Sequence, residues 1–478
     1  MAIRVQFWGA ARTVTGSSHH LECAGRNILL DCGLFQGRRR EAREINMNFA
    51  LPPEEVSAIV LSHAHIDHSG NLPGFVREGY RGPIYATPAT IDLCDPMLKD
   101  SAHVQESEVE FIRKRARRKL SIGRDGAIDQ PVDPLYSTED AAATIGLFRP
   151  MQLHERQALN GSTATEGFAV TPYGAGHMLG STCVLMEGTE NGKTTRVLFS
   201  GDVGRASLPI IKDPESAPAA DYLIMESTYG NRLHQPIGPV KNKLAALIKR
   251  TVQRGGHIVM PAFAVGRSQQ VVMMLHELIR EKKIPELPVY LDSPLATSVT
   301  QVFEKHTEEW DAELAALAQQ TTPFAWKHMI YTQTVQESKA LNQMHVPFIV
   351  ISASGMCEAG RVLHHLRNSI SDPRNLILLT GYQAENTLGR RLERREPEVR
   401  IFGEWMRLRA EVDSIGELSG HADQKELLDW MEPVTKTLKK VFLVHGEPEA
   451  QQELKAEIEK RYRLPVEIPA RGDQYVLE

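Results

Sequence analysis

Apolar positions along this chain fall into short continuous runs closed by turn residues, not into long periodic stretches. Ile28-Leu29-Leu30-Asp31-Cys32-Gly33 ends a buried run in an acid and a glycine. Ala58-Ile59-Val60-Leu61-Ser62 leads straight into His63-Ala64-His65-Ile66-Asp67-His68, and Ile84-Tyr85-Ala86-Thr87-Pro88 precedes a helix expected from Ala89. Runs of this length read as buried strands. The first nine residues read as a strand and lack the apolar core of a signal peptide. Residues 101–120 have helical spacing, and residues 121–138, rich in Gly, Pro and Asp, read as a surface excursion. Strands resume near Phe168–Pro172, Cys183–Glu187 and Arg196–Phe199, the first leading toward His177 and the last toward Asp202.

The rhythm changes over residues 231–405. Three times an apolar strand runs into a glycine-containing turn and then a helix: His257 to Arg267, Phe348 to Met356, and Leu376 to Tyr382. Such units build a parallel sheet whose C-terminal loops share one edge, where ligands bind. Strands alternating with helices throughout give an α/β layered fold.

Composition narrows the class. A chain of 478 residues holds about three domain-sized units at roughly 150 residues each. With 42% hydrophobic and 24% charged residues it is an ordinary globular composition, which excludes a mostly disordered chain. No apolar run reaches the roughly 20 residues that span a bilayer, so no membrane partner is expected. Five cysteines without a C-x-x-C pair point to a reducing, cytoplasmic setting. The net charge of −5 means that any surface for a polyanion is local.

The 18 histidines carry more information, because several cluster. His63, His65, Asp67 and His68 place three imidazoles and a carboxylate at the mouth of a strand, a donor set suited to a borderline-soft divalent ion such as Zn²⁺. Residues two apart in extended chain point the same way, so His63 and His65 can grip one ion while Asp67 and His68, past the bend, grip a second. Two such ions activate water and clamp a phosphoryl group. His177, Asp202 and His445 each follow an apolar strand or sit in a glycine-flanked turn. Singly, His177 or His445 reads as a structural histidine; with the first cluster they complete two coordination shells.

These residues resemble the metallo-β-lactamase superfamily, in its β-CASP nuclease branch, over essentially the whole chain. The H-x-H-x-D-H cluster marks the superfamily. Glu226-Ser227-Thr228-Tyr229-Gly230, Ser419-Gly420-His421-Ala422-Asp423 and Val444-His445-Gly446-Glu447 mark the branch, which includes bacterial and archaeal relatives of the endonuclease subunit that cleaves pre-mRNA before polyadenylation. The resemblance implies two Zn²⁺ per chain: His63, His65 and His177 on the first, Asp67, His68 and His445 on the second, and Asp202 bridging. It makes Asp31 a residue that orients ligands, although a turn or N-cap acid fits the local sequence equally. It makes His421 the acid that protonates the leaving oxygen, held by Glu226. A histidine at 445 resembles the RNA-processing members of the branch more than the DNA-processing ones.

RNA needs further phosphate contacts. Ser352-Ala353-Ser354-Gly355 lies between a buried strand and a helix expected near Glu358, so backbone N–H groups and two hydroxyls form a candidate anion site. Arg267, after Pro261–Gly266, offers a bidentate contact. Tight-turn architecture with a surface arginine is the alternative for both. The run Arg113–Lys119, six basic residues in seven, reads as a solvated helix face or as an RNA contact, with Glu106, Glu108 and Glu110 placed to neutralise part of it. Arg38-Arg39-Arg40 is a second basic cluster.

The reading that follows is an αββα metallo-β-lactamase sandwich over residues 1–230 and 406–478, with a β-CASP domain, a mostly parallel sheet flanked by helices, inserted at 231–405. It is expected to be a cytoplasmic zinc ribonuclease, with RNA entering between the domains and water activated at the metals attacking phosphorus in line. Its partners are RNA and, as an open alternative, further copies of the chain. A small-molecule hydrolase of lactonase or thioesterase type and an inactive RNA-binding scaffold are the rivals. The insert and His421 count against the first, and the intact metal positions against the second.

Overall fold

In the computed structural model, two seven-stranded sheets face one another across a shared apolar layer, and each changes from antiparallel to parallel pairing halfway across. The structure describes residues 3–37, 39–120, 133–163, 166–236, 238–381, 383, 384 and 386–478. The chain divides into two units: Met1–Gly204, Pro214–Leu233 and His421–Glu478 form the first, and Arg205–Asp213 with His234–Gly420 the second.

In the first unit, one sheet runs Gln474–Leu477, Ile3–Phe7, His19–Cys23, Arg26–Leu30, Ala58–Val60, Ile84–Ala86, Phe148–Pro150. The C-terminal strand closes the edge beside the N-terminal one, pairing Leu477 with Ile3. The other sheet runs Val466–Glu467, Lys440–Leu443, Tyr222–Met225, Lys193–Phe199, Thr182–Glu190, Gly167–Gly174, Gln157–Ala158. Alternation along each strand sends one set of side chains inward: Val5, Phe7, Leu21, Ile28 and Val60 meet Phe168, Val184, Phe199, Ile224 and Phe442. Phe7 and Phe442 lie 5.1 Å apart, ring to ring. Burying each such side chain stabilises by about 1.5–3 kcal/mol, and truncating Phe199 to alanine would cost about 3–5 kcal/mol.

The outer face of the second sheet, through Leu198, Leu223, Met225 and Leu443, packs on the helices Gln424–Met431 and Pro448–Tyr462. The opposite set of the first sheet, Leu29, Ile59 and Ile84, is also buried. The helices Leu72–Arg77, Pro88–Leu120 and Thr138–Ile145 pack together on this side of the chain. The unit is therefore an αββα sandwich. No helix among the described residues is long and apolar enough to cross a membrane.

The second unit is built on a six-stranded sheet in which every pairing is parallel: Met329–Tyr331, Val289–Leu291, Ile349–Ser352, Ile258–Pro261, Leu376–Leu379, Glu411–Ser414. The three strands legible in the sequence lie side by side at its centre. The other three are short or polar and take their place by pairing. Glu411–Ser414 completes the sheet beside Leu376–Leu379. Of residues 121–138, those from 121 to 132 lie outside the described residues, as do Arg38 and Tyr382.

At the C-terminal edge of this sheet Asp292 is fully buried. Its carboxylate accepts hydrogen bonds from Thr332 Oγ1 (2.5 Å), Ser338 Oγ (2.6 Å), Arg361 Nη1 (2.7 Å) and His365 Nε2 (2.6 Å). Burial opposes the charge on Asp292, but these four donors hold its carboxyl well below the usual carboxylate range.

Candidate metal centre

The strand Ala58–Val60 delivers His63 and His65 to the end of the first sheet, and the helical turn Ile66–Ser69 that follows carries Asp67 and His68. The facing sheet supplies the rest of the set. His177 lies in the turn between the strands Gly167–Gly174 and Thr182–Glu190, where Ser181 Oγ accepts a hydrogen bond from its backbone N–H. Asp202 follows Lys193–Phe199, and His445 follows Lys440–Leu443. Gly201, at φ 53°, lets the chain turn into Asp202; a Cβ there would lie 2.8 Å from Ser62 Cβ.

These side chains gather into two adjoining groups. In the first, His65 Nδ1 lies 3.1 Å from both His63 Nε2 and His177 Nε2, and Asp202 Oδ2 lies 3.5 Å from each of those Nε2 atoms. In the second, His68 Nε2 lies 3.1 Å from His445 Nε2, which is 3.3 Å from Asp67 Oδ2. The other oxygen of Asp202, Oδ1, turns to this group, 3.3 Å from His68 Nε2 and 3.7 Å from His445 Nδ1. Asp202 thus offers one oxygen to each cluster.

The donor set fits divalent cations. A tetrahedral Zn²⁺ with N and O ligands at roughly 2.0–2.1 Å has neighbouring ligand atoms about 3.3 Å apart, the spacing seen in both groups. Asp202 Oδ1 is buried and has no hydrogen-bond partner among the described residues. Burial pushes His63 well below its ordinary pKa and His65 down to about 4, leaving neutral rings whose lone pairs can ligate. Burial also opposes the charge on Asp202 and Asp67, but the surrounding histidines prevail and hold both carboxyls well below the usual range. At His68, Asp202 and Asp31 outweigh burial and raise the pKa, and Asp202 and Asp67 do the same at His445. The carboxylates call for more positive charge than these side chains offer without protonating both rings. A divalent cation meets that demand with the imidazoles neutral.

Asp31 sits behind His68. Its Oδ2 is 2.7 Å from His68 Nδ1 and accepts from Ser17 Oγ and Ser62 Oγ, while Oδ1 accepts from the Ser62 backbone N–H at 2.8 Å. With Nδ1–H given to Asp31, Nε2 of His68 faces the centre. Asp31 and His445 are both non-glycine residues in left-handed backbone, at φ 59° and 50°, strain that the surrounding bonds hold in place.

A third group adjoins these. Glu226 is buried; its Oε1 accepts from the Val203 backbone N–H at 2.6 Å and its Oε2 from Thr228 Oγ1 at 2.6 Å. His421 Nδ1 lies 3.1 Å from Glu226 Oε2 and 3.8 Å from Asp202 Oδ2. Burial would lower the His421 pKa, but the carboxylates of Glu226 and Asp202 raise it to about 9. Its side chain is 21% exposed, unlike the buried Glu226. The loop carrying it is pinned where Ala422 N–H bonds Val203 O and Asp423 caps the helix Gln424–Met431. Sequence reasoning missed the hydroxyls that tie the groups together. Thr228 Oγ1 also lies 3.1 Å from His445 Nδ1, and Ser62 Oγ 3.0 Å from His63 Nδ1. Their signal was present as hydroxyl residues directly beside ligands or inside the Glu226–Gly230 stretch.

The four residues read as phosphate contacts lie in the second unit. Arg267 opens the helix Arg267–Arg280. Ser352 is buried and donates its hydroxyl to the Asp292 carbonyl at 2.9 Å. Ser354 Oγ accepts from the N–H groups of Glu358 and Ala359, at 3.2 and 3.4 Å, and Gly355 follows it. The helix expected near Glu358 begins at Val362, because Ser354 draws those two amides into a turn first. The basic run ends the helix Pro88–Leu120, where Arg113 pairs with Asp133 (2.5 Å) and Lys114 with Glu110 (2.7 Å). The side chains of Arg115–Lys119 lie outside the described residues.

Three family models match the chain: the metallo-beta-lactamase superfamily over residues 21–236, the Beta-Casp domain over 268–392, and the Zn-dependent metallo-hydrolase RNA specificity domain over 405–469. The chain is 37% identical to Ribonuclease TTHA0252 of Thermus thermophilus over 448 residues, 94% of each chain. It is 29% identical to transcription termination factor FttA of Methanosarcina mazei, covering 97% of this chain and 70% of that one. It is 28% identical to an RNase J-like protein of Methanocaldococcus jannaschii, covering 98% and 99%. Among solved structures, a protein of unknown function from Enterococcus faecalis shares the fold, with a TM-score of 0.54 at 13% identity over the whole of both chains.

Proposed function

We propose, from the premise that this chain belongs to the β-CASP branch of the metallo-β-lactamase superfamily, that it is a two-zinc ribonuclease. The observation that carries this reading is the carboxylate of Asp202, whose two oxygens address two histidine clusters at once. His63, His65 and His177 would hold one ion, Asp67, His68 and His445 the other, with Asp202 shared. Bound there, the ions would activate water toward phosphorus and offset the charge that gathers on the phosphoryl oxygens.

The chain's own residues do the remaining work. Asp31 keeps the Nδ1–H tautomer of His68. Glu226 holds Nδ1–H of His421, keeping the ring protonated, and the proton on Nε2 goes to the departing 3′ oxygen as the phosphorus–oxygen bond breaks. One product then ends in a 3′-hydroxyl and the other begins with a 5′-phosphate. A thioester, whose thiolate departs without help from a proton, would make no use of an acid so placed.

Zinc analysis of the purified protein, set beside cleavage of labelled RNA, DNA and a generic ester, tests the reading. Two zinc per chain with RNA cut to 5′-phosphate ends is the expected result. Ester turnover without RNA cleavage would overturn it.

A further inference from the structure

We propose that Phe263 is a stacking platform for one nucleobase of the RNA strand, an inference that rests on the ribonuclease reading. Phe263 lies in the turn between the strand Ile258–Pro261 and the helix Arg267–Arg280, at the C-terminal edge of the parallel sheet. It is 40% exposed, whereas the apolar residues of its strand are buried. Open α/β sheets bind ligands along this edge.

The floor beneath the ring is built for close approach. A Cβ on Gly355 would lie 2.9 Å from Phe263 Cδ2, and one on Gly381 would lie 3.6 Å from Cε2. At Gly355 only a residue without a side chain lets the ring settle there, while at Gly381 a Cβ would make ordinary contact. The two glycine loops are also tied together: the buried amide of Gln383 donates to Gly355 O and Gly381 O, both at 3.0 Å. The strand below is fixed by Thr380 Oγ1, which donates to Pro261 O at 2.7 Å, and the turn itself by Ser268 Oγ, which donates to Phe263 O at 2.7 Å. The backbone that carries the ring is held by these bonds.

A cation flanks the same spot. The Gly381 Cβ position that lies 3.6 Å from the ring lies 4.0 Å from Arg267 Nε. An aromatic face beside a guanidinium is the pairing that single-stranded nucleic acid uses, base on ring and phosphate by cation, and it accepts any base because every base has a π-face. Scattered exposed hydrophobic residues are normal and mean nothing alone. Phe263 differs from Phe111, Phe402 and Trp405, which are also exposed, in standing on a glycine floor at the sheet's binding edge.

The test compares wild type, Phe263→Leu and Phe263→Trp for binding and cleavage of a short single-stranded RNA. One abasic ribose is walked along the strand, and phosphorothioate linkages slow cleavage in the binding arm. Leucine keeps apolar bulk but removes the π-face. Phe263→Leu is expected to weaken binding roughly 5- to 100-fold, to raise KM with kcat little changed, and to be rescued by Phe263→Trp. At one strand position the abasic site should weaken wild type by a similar factor and the leucine variant hardly at all, a coupling that a merely structural role does not produce. Equal affinity of wild type and Phe263→Leu overturns the proposal while leaving the ribonuclease reading intact. So does an affinity loss that no abasic position absorbs. If wild type neither binds nor cleaves RNA, the ribonuclease reading falls and the stacking platform falls with it.

Discussion

Asp31 Oδ2 lies 2.7 Å from His68 Nδ1, and both groups are buried. The carboxylate has four donors around it and no room for a donor of its own. In Asp31→Asn the amide NH₂ must face either the Ser62 N–H or the His68 ring. The first sets donor against donor, and the second drives His68 to the wrong tautomer. Zinc affinity of the His68 group should fall about 10- to 100-fold, as for other residues that orient metal ligands. Chelator competition should show one ion leaving early while the His63 group keeps the other.

His421→Ala should retain both ions and lose about 10²–10⁴-fold in kcat, the usual contribution of a general acid. His421 belongs to the group with Glu226, and its nearest approach to the shared carboxylate is 3.8 Å. Zinc content measured on the purified variant decides the assignment. A parallel fall in metal and activity would make His421 a ligand.

Removing the metal should destabilise the sandwich unit. Ions bound only by the folded state stabilise it by about 4 kcal/mol for each site when free zinc stands 1,000-fold above Kd. Thermal unfolding of wild type should therefore move upward with added zinc and downward with chelator. Asp202→Ala, which takes one oxygen from each group, should flatten that response more than loss of any single histidine.

The Asp292 network sets an acid limit on the second unit. Because the folded-state pKa is depressed, the stabilisation is fully present above the unfolded value of about 3.9 and is lost as pH falls below it toward the folded value. Amide hydrogen exchange in the strand Ile349–Ser352, corrected for intrinsic rates, should quicken on acidification below about pH 4 in wild type. Asp292→Asn should exchange faster at neutral pH, by an amount equivalent to about 3–5 kcal/mol, and should lack the acid dependence.

The parts of this fold and site that were legible in the sequence are those in which neighbouring residues act together. His63, His65, Asp67 and His68 are joined by one turn of chain, and the central strands of the parallel sheet are continuous apolar runs. His177, Asp202 and His445 are isolated in sequence and stood out only by their strand-end or glycine-turn setting taken together with the first cluster. Val289–Leu291 and Met329–Tyr331 are three residues long, and Glu411–Ser414 is half acidic; each is a strand because a neighbour's backbone pairs with it, which no local pattern encodes. The helix expected at Glu358 failed for a local reason, since the Ser354 hydroxyl captures the amides that would have opened it. The Thr228 link between His445 and Glu226 depends on side chains more than 200 residues apart.

His68 and His445 meet across 377 residues of chain. A ribosome has made all of His63, His65, His177 and Asp202 long before it reaches residues 421 and 445. On the roles proposed above, the growing polypeptide carries every metal ligand except His445 from residue 202 onward, and it lacks His421 and His445 until late in its synthesis. An enzyme whose substrate is RNA emerges from a machine made of RNA, reading an RNA template. On those proposed roles, cutting power belongs to the nearly finished chain, because His421 and His445 come late in the order of synthesis.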